Sequence, residues 1–135
     1  MSDIFNLKEI HEDMDNETLV NNTEVLLIAC YKIFITTIDE LIAYVPSTEV
    51  EVIKPLLTEI RLHRHATSGM LRRYRQVPLD RANTIDFICK HRRKAIELFT
   101  SMAEVAFYAR ISKESIKIIQ DKTDELVTVL SNFSI

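Results

Sequence analysis

The sequence predicts an all-α protein: an antiparallel up-down-up-down four-helix bundle, with an extra short helix or arm at its N-terminus. Three observations lead there. One Gly and three Pro in 135 residues leave too little turn chemistry for an all-β chain, which needs a turn at roughly every tenth residue. Apolar residues recur at three- and four-residue intervals over long stretches, the period of a helix with one buried face. The breaks between those stretches are short, and short connections make successive helices antiparallel neighbours. A chain of this length with 47% apolar residues can bury a core of its own as one domain.

Residues 1–22 are acidic, with Ile4, Leu7, Ile10 and Met14 at loose helical spacing. A short amphipathic helix and a frayed arm fit that pattern equally well, so the bundle domain is drawn from 23 to 135. Asn21, followed three residues later by Glu24, reads as the start of the first helix. Its stripe is Leu27, Ile28, Tyr31, Phe34, Ile35, Ile38, Leu41, Ile42 and Val45, with Lys32, Thr36, Asp39 and Glu40 opposite, and Pro46 stops it. Thr48 with Glu51 is a second capping-box signal, and Pro55 marks either a later start or a kink. The second helix is expected to run on to about Gln76, with Leu56, Ile60, His63, Thr67, Met70, Leu71 and Tyr74 on one face.

Val77–Asp80 breaks the pattern, and Asp80 is the expected N-cap of a third helix to about Ala109. Ile85, Ile88, Cys89, Ile96, Phe99, Ala103, Ala106 and Phe107 form its apolar side. A second apolar strip, Phe87, Leu98, Met102 and Val105, lies elsewhere on the same helix. Two greasy faces on one helix point to an oligomer interface through that strip. Arg92 falls within the main stripe, where it is expected to snorkel or to pair with Glu59 or Asp39. Ser112 caps the last helix, which packs through Ile116, Ile119, Thr123, Leu126, Val127 and Leu130 and ends near Ser131.

Charge is distributed unevenly. Between Ile60 and Lys94 stand Arg61, Arg64, Arg72, Arg73, Arg75, Arg81, Lys90, Arg92, Arg93 and Lys94, against only Asp80 and Asp86. The overall charge of −3 therefore hides a strongly basic middle between acidic flanks, and polyanions are the natural partners of such a segment. On the second helix Arg61, Arg64, His65, Ser68, Arg72 and Arg75 fall within roughly 100° of arc. Cations on a rigid helix meet phosphate oxygens without loop ordering, releasing counterions, and they position a nucleic acid without reading its sequence. The candidate nucleic-acid-binding set is Arg61, Arg64, His65, Arg72, Arg73, Arg75, Lys90, Arg93 and Lys94. The competing reading is that this face is solvated, or pairs with acidic helices of its own or a neighbouring chain.

No catalytic set is recognisable. Glu59 and His63 share a face, with His65 nearby and His91 on the next helix, but no Glu-x-x-His pair of the di-iron bundles occurs. These histidines read as a core-margin residue and members of the basic surface, and no metal or cofactor is expected. Gly69 alone cannot build a phosphate loop, and Ser68 and Cys89 lack a base with its orienting group. Cys30 and Cys89, far apart within helical patterns, read as reduced thiols. The N-terminal residues lack the basic and apolar regions of a signal peptide, and no apolar run approaches membrane-spanning length; a cytoplasmic location is the expectation.

The residues from Tyr31 to Phe133 carry a resemblance. Tyr44-Val45-Pro46 followed by Ser47-Thr48-Glu49, then Leu57-Thr58-Glu59-Ile60-Arg61-Leu62, then Asn83, Arg92-Arg93 and Met102-Ala103-Glu104-Val105-Ala106 stand in sequence. Ile111-Ser112 and Asp124-Glu125-Leu126-Val127-Thr128-Val129-Leu130 complete the series. This series resembles the accessory variability protein (Avd) of diversity-generating retroelements and the wider four-helix-bundle family of bacterial 23S rRNA intervening sequences. The resemblance implies a homopentamer that is not an enzyme and that binds RNA or DNA and a reverse transcriptase through basic surface residues. Two other classes stay in view: a protein-binding adaptor or structural oligomer whose basic face meets acidic partners, and a bundle metalloenzyme.

Overall fold

The computed structural model describes residue 10 and residues 13–132, and every regular element among them is helical. Four helices are long and one is a single short segment: α1 (Asn16–Ile42), α2 (Ser47–Thr67), α3 (Met70–Gln76), α4 (Arg81–Tyr108) and α5 (Lys113–Ser131). No described helix is long and apolar enough to cross a membrane.

The first helix begins earlier than the Asn21 signal. Asp15 caps it, accepting from the Thr18 N–H at 2.7 Å, a bond that also holds the Asp15 carboxyl below its ordinary range. Leu19 and Val20 are fully buried, and Ile10 joins the same core, so apolar burial carries the helix to its earlier cap. Residues 16–22 are continuous with α1. Residues 1–9, 11 and 12, the rest of the expected arm, lie outside the described residues. At the other end α1 stops at Ile42, a few residues before Pro46.

α2 begins directly after Pro46, whose extended backbone serves as the N-cap without a side-chain bond. The Thr48–Glu51 capping box does not form, because Thr48 is already inside the helix. Pro55 lies within α2. The expected continuation to Gln76 is broken at Ser68–Gly69, where Gly69 has φ of +98°. That left-handed geometry suits glycine, which has no Cβ to clash. The restarted helix α3 has its Leu71 N–H satisfied from another element: Glu24 of α1 accepts it at 2.9 Å. Asp80 and Ser112 cap α4 and α5 as the sequence predicts, accepting from Asn83 N–H at 2.8 Å and Ser115 N–H at 3.2 Å.

α1 packs against all four other helices, and α4 packs against α1, α2 and α5. At the centre, Phe99 of α4 meets Tyr31 and Phe34 of α1 with ring centroids 5.6 and 5.3 Å apart. Cys30 is buried and Cys89 half-buried, both as free thiols.

Candidate nucleic-acid interface

The basic residues fall on three helices, and the break at Gly69 decides their arrangement. On α2, Arg61, Arg64, His65 and Ser68 succeed one another at helical spacing and line a shallow cleft of about 300 Å³. Past the break, α3 carries Arg72, Arg73 and Arg75, all exposed. The Arg72 guanidinium lies over Gly69, close enough that a Cβ added there would stand 3.0 Å from its Nη2. On α4, Lys90, Arg93 and Lys94 are exposed, while His91 between them is half-buried.

These cations divide by what holds them. Arg61 lies 3.6 Å from Asp39, with both side chains more than half exposed (56% and 51%), a pairing that is weak and easily exchanged for another anion. Arg75 is held more firmly: its Nε and Nη2 both donate to one oxygen of Glu17, at 3.2 and 2.6 Å. Arg81 donates to the Met14 carbonyl at 2.5 Å and to Asn16 Oδ1 at 3.0 Å. Arg73 donates to the Ala66 carbonyl at 3.2 Å, which leaves its charge uncompensated. Arg64, Arg72, Arg73, Lys90, Arg93 and Lys94 have no ion pair with a described carboxylate.

His91 reports how close some of these charges stand. Burial, and then the nearby positive charges of Arg73, Lys94 and Lys90, push its imidazole down to about 4. It is therefore neutral at pH 7. Arg73 comes from α3 and the two lysines from α4, so the helix break brings cations from separate helices around one ring.

The second apolar strip of α4 is divided between the core and the surface. Leu98 and Met102 are 8% and 5% exposed within the single chain. A helix with two apolar faces needs two sets of neighbours, and here α1, α2 and α5 provide them. Phe87 is half-buried, with its ring 4.7 Å from that of His91 in edge contact. Of the four, only Val105 is substantially exposed, at 49%. Beside it Phe107 and Tyr108, at 56% and 82%, form an apolar end to α4 that the periodicity assigned partly to the core. Phe107 and Tyr108 also border a cleft of about 410 Å³ between α4 and α5.

Arg92 is half-buried and engaged rather than free. Glu59 and His63 stand 3.5 Å apart on the surface of α2, and among the described residues no group of three or more His, Cys, Asp or Glu is arranged to hold a metal ion. One polar site has no counterpart in the sequence reading. Glu49, in the first turn of α2 and only 9% exposed, accepts from Ser112 N–H at 3.1 Å and from Ser115 Oγ at 3.0 Å at the start of α5. Comparison with protein-family models, with curated proteins and with solved structures finds no match.

Proposed function

We propose that the chain is a non-catalytic, nucleic-acid-binding scaffold whose four long helices follow one another in up-down-up-down order. The observation that carries this reading is the group of six cations on α2, α3 and α4 without a carboxylate partner among the described residues. Among the described residues, carboxylates of the acidic flanks neutralise Arg75 and weakly engage Arg61, and none pairs with Arg64, Arg72, Arg73, Lys90, Arg93 or Lys94. A surface of that kind binds phosphates in a sequence-independent and salt-dependent way. By its resemblance to the retroelement accessory proteins, the partner would be RNA or DNA handled together with a reverse transcriptase, and the scaffold would be a homo-oligomer. Its contact surface would draw on Val105, Phe107 and Tyr108 rather than on the buried Leu98 and Met102.

Filter binding of a labelled oligonucleotide across a salt series tests the reading. Affinity is expected to fall steeply between about 50 and 200 mM salt, with a slope set by the number of phosphates neutralised. Replacing Arg64, Arg72 and Lys94 together by Glu is expected to abolish binding while leaving the helical circular dichroism unchanged. Absent or salt-independent binding would remove the proposal.

The exposed apolar end of α4 favours a second reading, an adaptor that docks a protein partner. A partner retained from lysate after nuclease treatment, and lost when Phe107 and Tyr108 are changed to Ser, would favour the adaptor.

A further inference from the structure

Four residues follow one another along one side of α4 at successive spacings of three, one and three: Phe87, Lys90, His91 and Lys94. The two rings touch edge to face, 4.7 Å between centroids and 76° between planes. Arg73 comes to the same place from α3, and it and both lysines lie near enough to His91 to act on its charge. Phe87, which packs against the core, and His91 are both half-buried rather than enclosed, while the three cations beside His91 are exposed. Cations alone suit any polyanion. Rings set among cations suit one whose bases are available to stack, because every base has a π-face and a duplex keeps its faces occupied.

We infer that Phe87 and His91 form a stacking platform for an unpaired base, with Arg73, Lys90 and Lys94 holding the phosphates on either side, so that the basic face selects single-stranded over double-stranded nucleic acid. This deepens the reading of the basic surface and rests on it. The neutrality of His91 at pH 7 is consistent with a stacking role, since a neutral imidazole among three cations adds no further repulsion and keeps its ring available. Single-stranded RNA and single-stranded DNA share the chemistry the platform uses.

Four probes separate the possibilities: an RNA and a DNA single strand of the same sequence, the blunt duplex, and linear polyphosphate at equal phosphate concentration. The wild-type chain is expected to bind both single strands more tightly than the duplex or polyphosphate, and to quench a 2-aminopurine placed within the strand. Phe87→Leu, which keeps an apolar side chain against the core, is expected to weaken single-strand binding about tenfold and to leave polyphosphate binding unchanged. His91→Gln gives a second test, with the same loss expected if Phe87→Leu perturbs folding. A stronger effect on RNA than on DNA would assign the platform to RNA, and equal effects to either strand. Equal affinity for strand, duplex and polyphosphate, without quenching, would overturn the platform while leaving the phosphate surface standing. No binding of any probe would remove both.

Discussion

Glu49 and Ser115 are separated by 66 residues, yet their side chains meet at 3.0 Å, in a buried contact where the carboxylate of α2 also receives the Ser112 N–H. The first turn of one helix thereby satisfies the first donors of another. A helix start leaves N–H groups without intrahelical partners, and a nearby negative charge is favoured there. Replacing Glu49 by Ala removes a charged acceptor from a site where water has little access. A loss of about 2 kcal/mol in folding free energy is expected, read as a lower urea midpoint with an unchanged denaturant slope. Glu49→Gln keeps an acceptor without the charge, and is expected to lose about half as much.

Gly69 sets the angle at which α3 leaves α2, since only a residue tolerant of positive φ closes α2 at Ser68 and restarts at Met70. Gly69→Ala meets the Arg72 guanidinium at 3.0 Å, but that is the tip of a flexible side chain and can move. The backbone cannot, so the strain of a left-handed alanine remains, about 1 kcal/mol. The expected result is a small loss of stability together with weaker oligonucleotide binding, because Arg72 and Arg73 are displaced from the cations of α2 and α4. Retained affinity in Gly69→Ala would show that the break does not position the phosphate contacts.

Much of this architecture was legible in the sequence, for a physical reason. Caps are local: Asp80 and Ser112 act within three residues, so their role could be read from the chain alone. So could the segregation of Arg and Lys, which depends only on composition. What escaped depended on distant residues. Nothing in the local sequence singles out Glu49 until Ser112 and Ser115 are brought to it. Leu98 and Met102 read as surface positions until the helices packed against α4 are known to bury them. The second helix reads as continuous to about Gln76, because hydrophobic periodicity persists through a bend that keeps Met70 and Tyr74 in the core. Cations in sequence say nothing of their partners, and the separation of Arg75, held by Glu17, from Arg72 emerges only in three dimensions.

That separation has a consequence for binding. Arg75 gives two donors to one Glu17 oxygen, so a phosphate must displace an internal anion to reach it, whereas Arg72 pairs with no carboxylate among the described residues. Arg72→Glu is therefore expected to weaken oligonucleotide binding more than Arg75→Glu. Releasing Arg75 by Glu17→Gln is expected to raise affinity severalfold and to steepen the salt dependence by about one phosphate. Equal losses for the two arginine variants, with no gain in Glu17→Gln, would place Arg75 on the phosphate path despite its partner.

The thiols give a check on packing that does not involve the basic face. Burial, with Glu125 adding to it, raises Cys30 to about 12, so its reactive thiolate is nearly absent at pH 8 and its access is blocked as well. In the native protein an aromatic disulfide reagent is expected to modify no Cys30, and to do so only after denaturant is added. Rapid labelling of Cys30 in buffer would mean that α1 opens far more readily than its buried contacts with α4 allow.

His91 makes stability depend on acidity in a defined window. Its folded value of about 4 lies below the ordinary histidine value of 6.5, so the folded chain favours the neutral ring. Its contribution is complete above about pH 6.5. As pH falls below that, the unfolded chain takes up a proton that the folded chain resists, and stability declines until about pH 4, where both forms are protonated. Discounted for the part of the ring that water reaches, the loss across that interval is about 1–2 kcal/mol. His91→Gln cannot titrate, so the difference between wild type and variant isolates this residue from the carboxylates that also change in acid. Urea midpoints measured at pH 7 and pH 4.5 are expected to fall further for wild type than for His91→Gln. Equal falls would mean that the imidazole is neither held neutral by burial nor pressed by Arg73, Lys94 and Lys90.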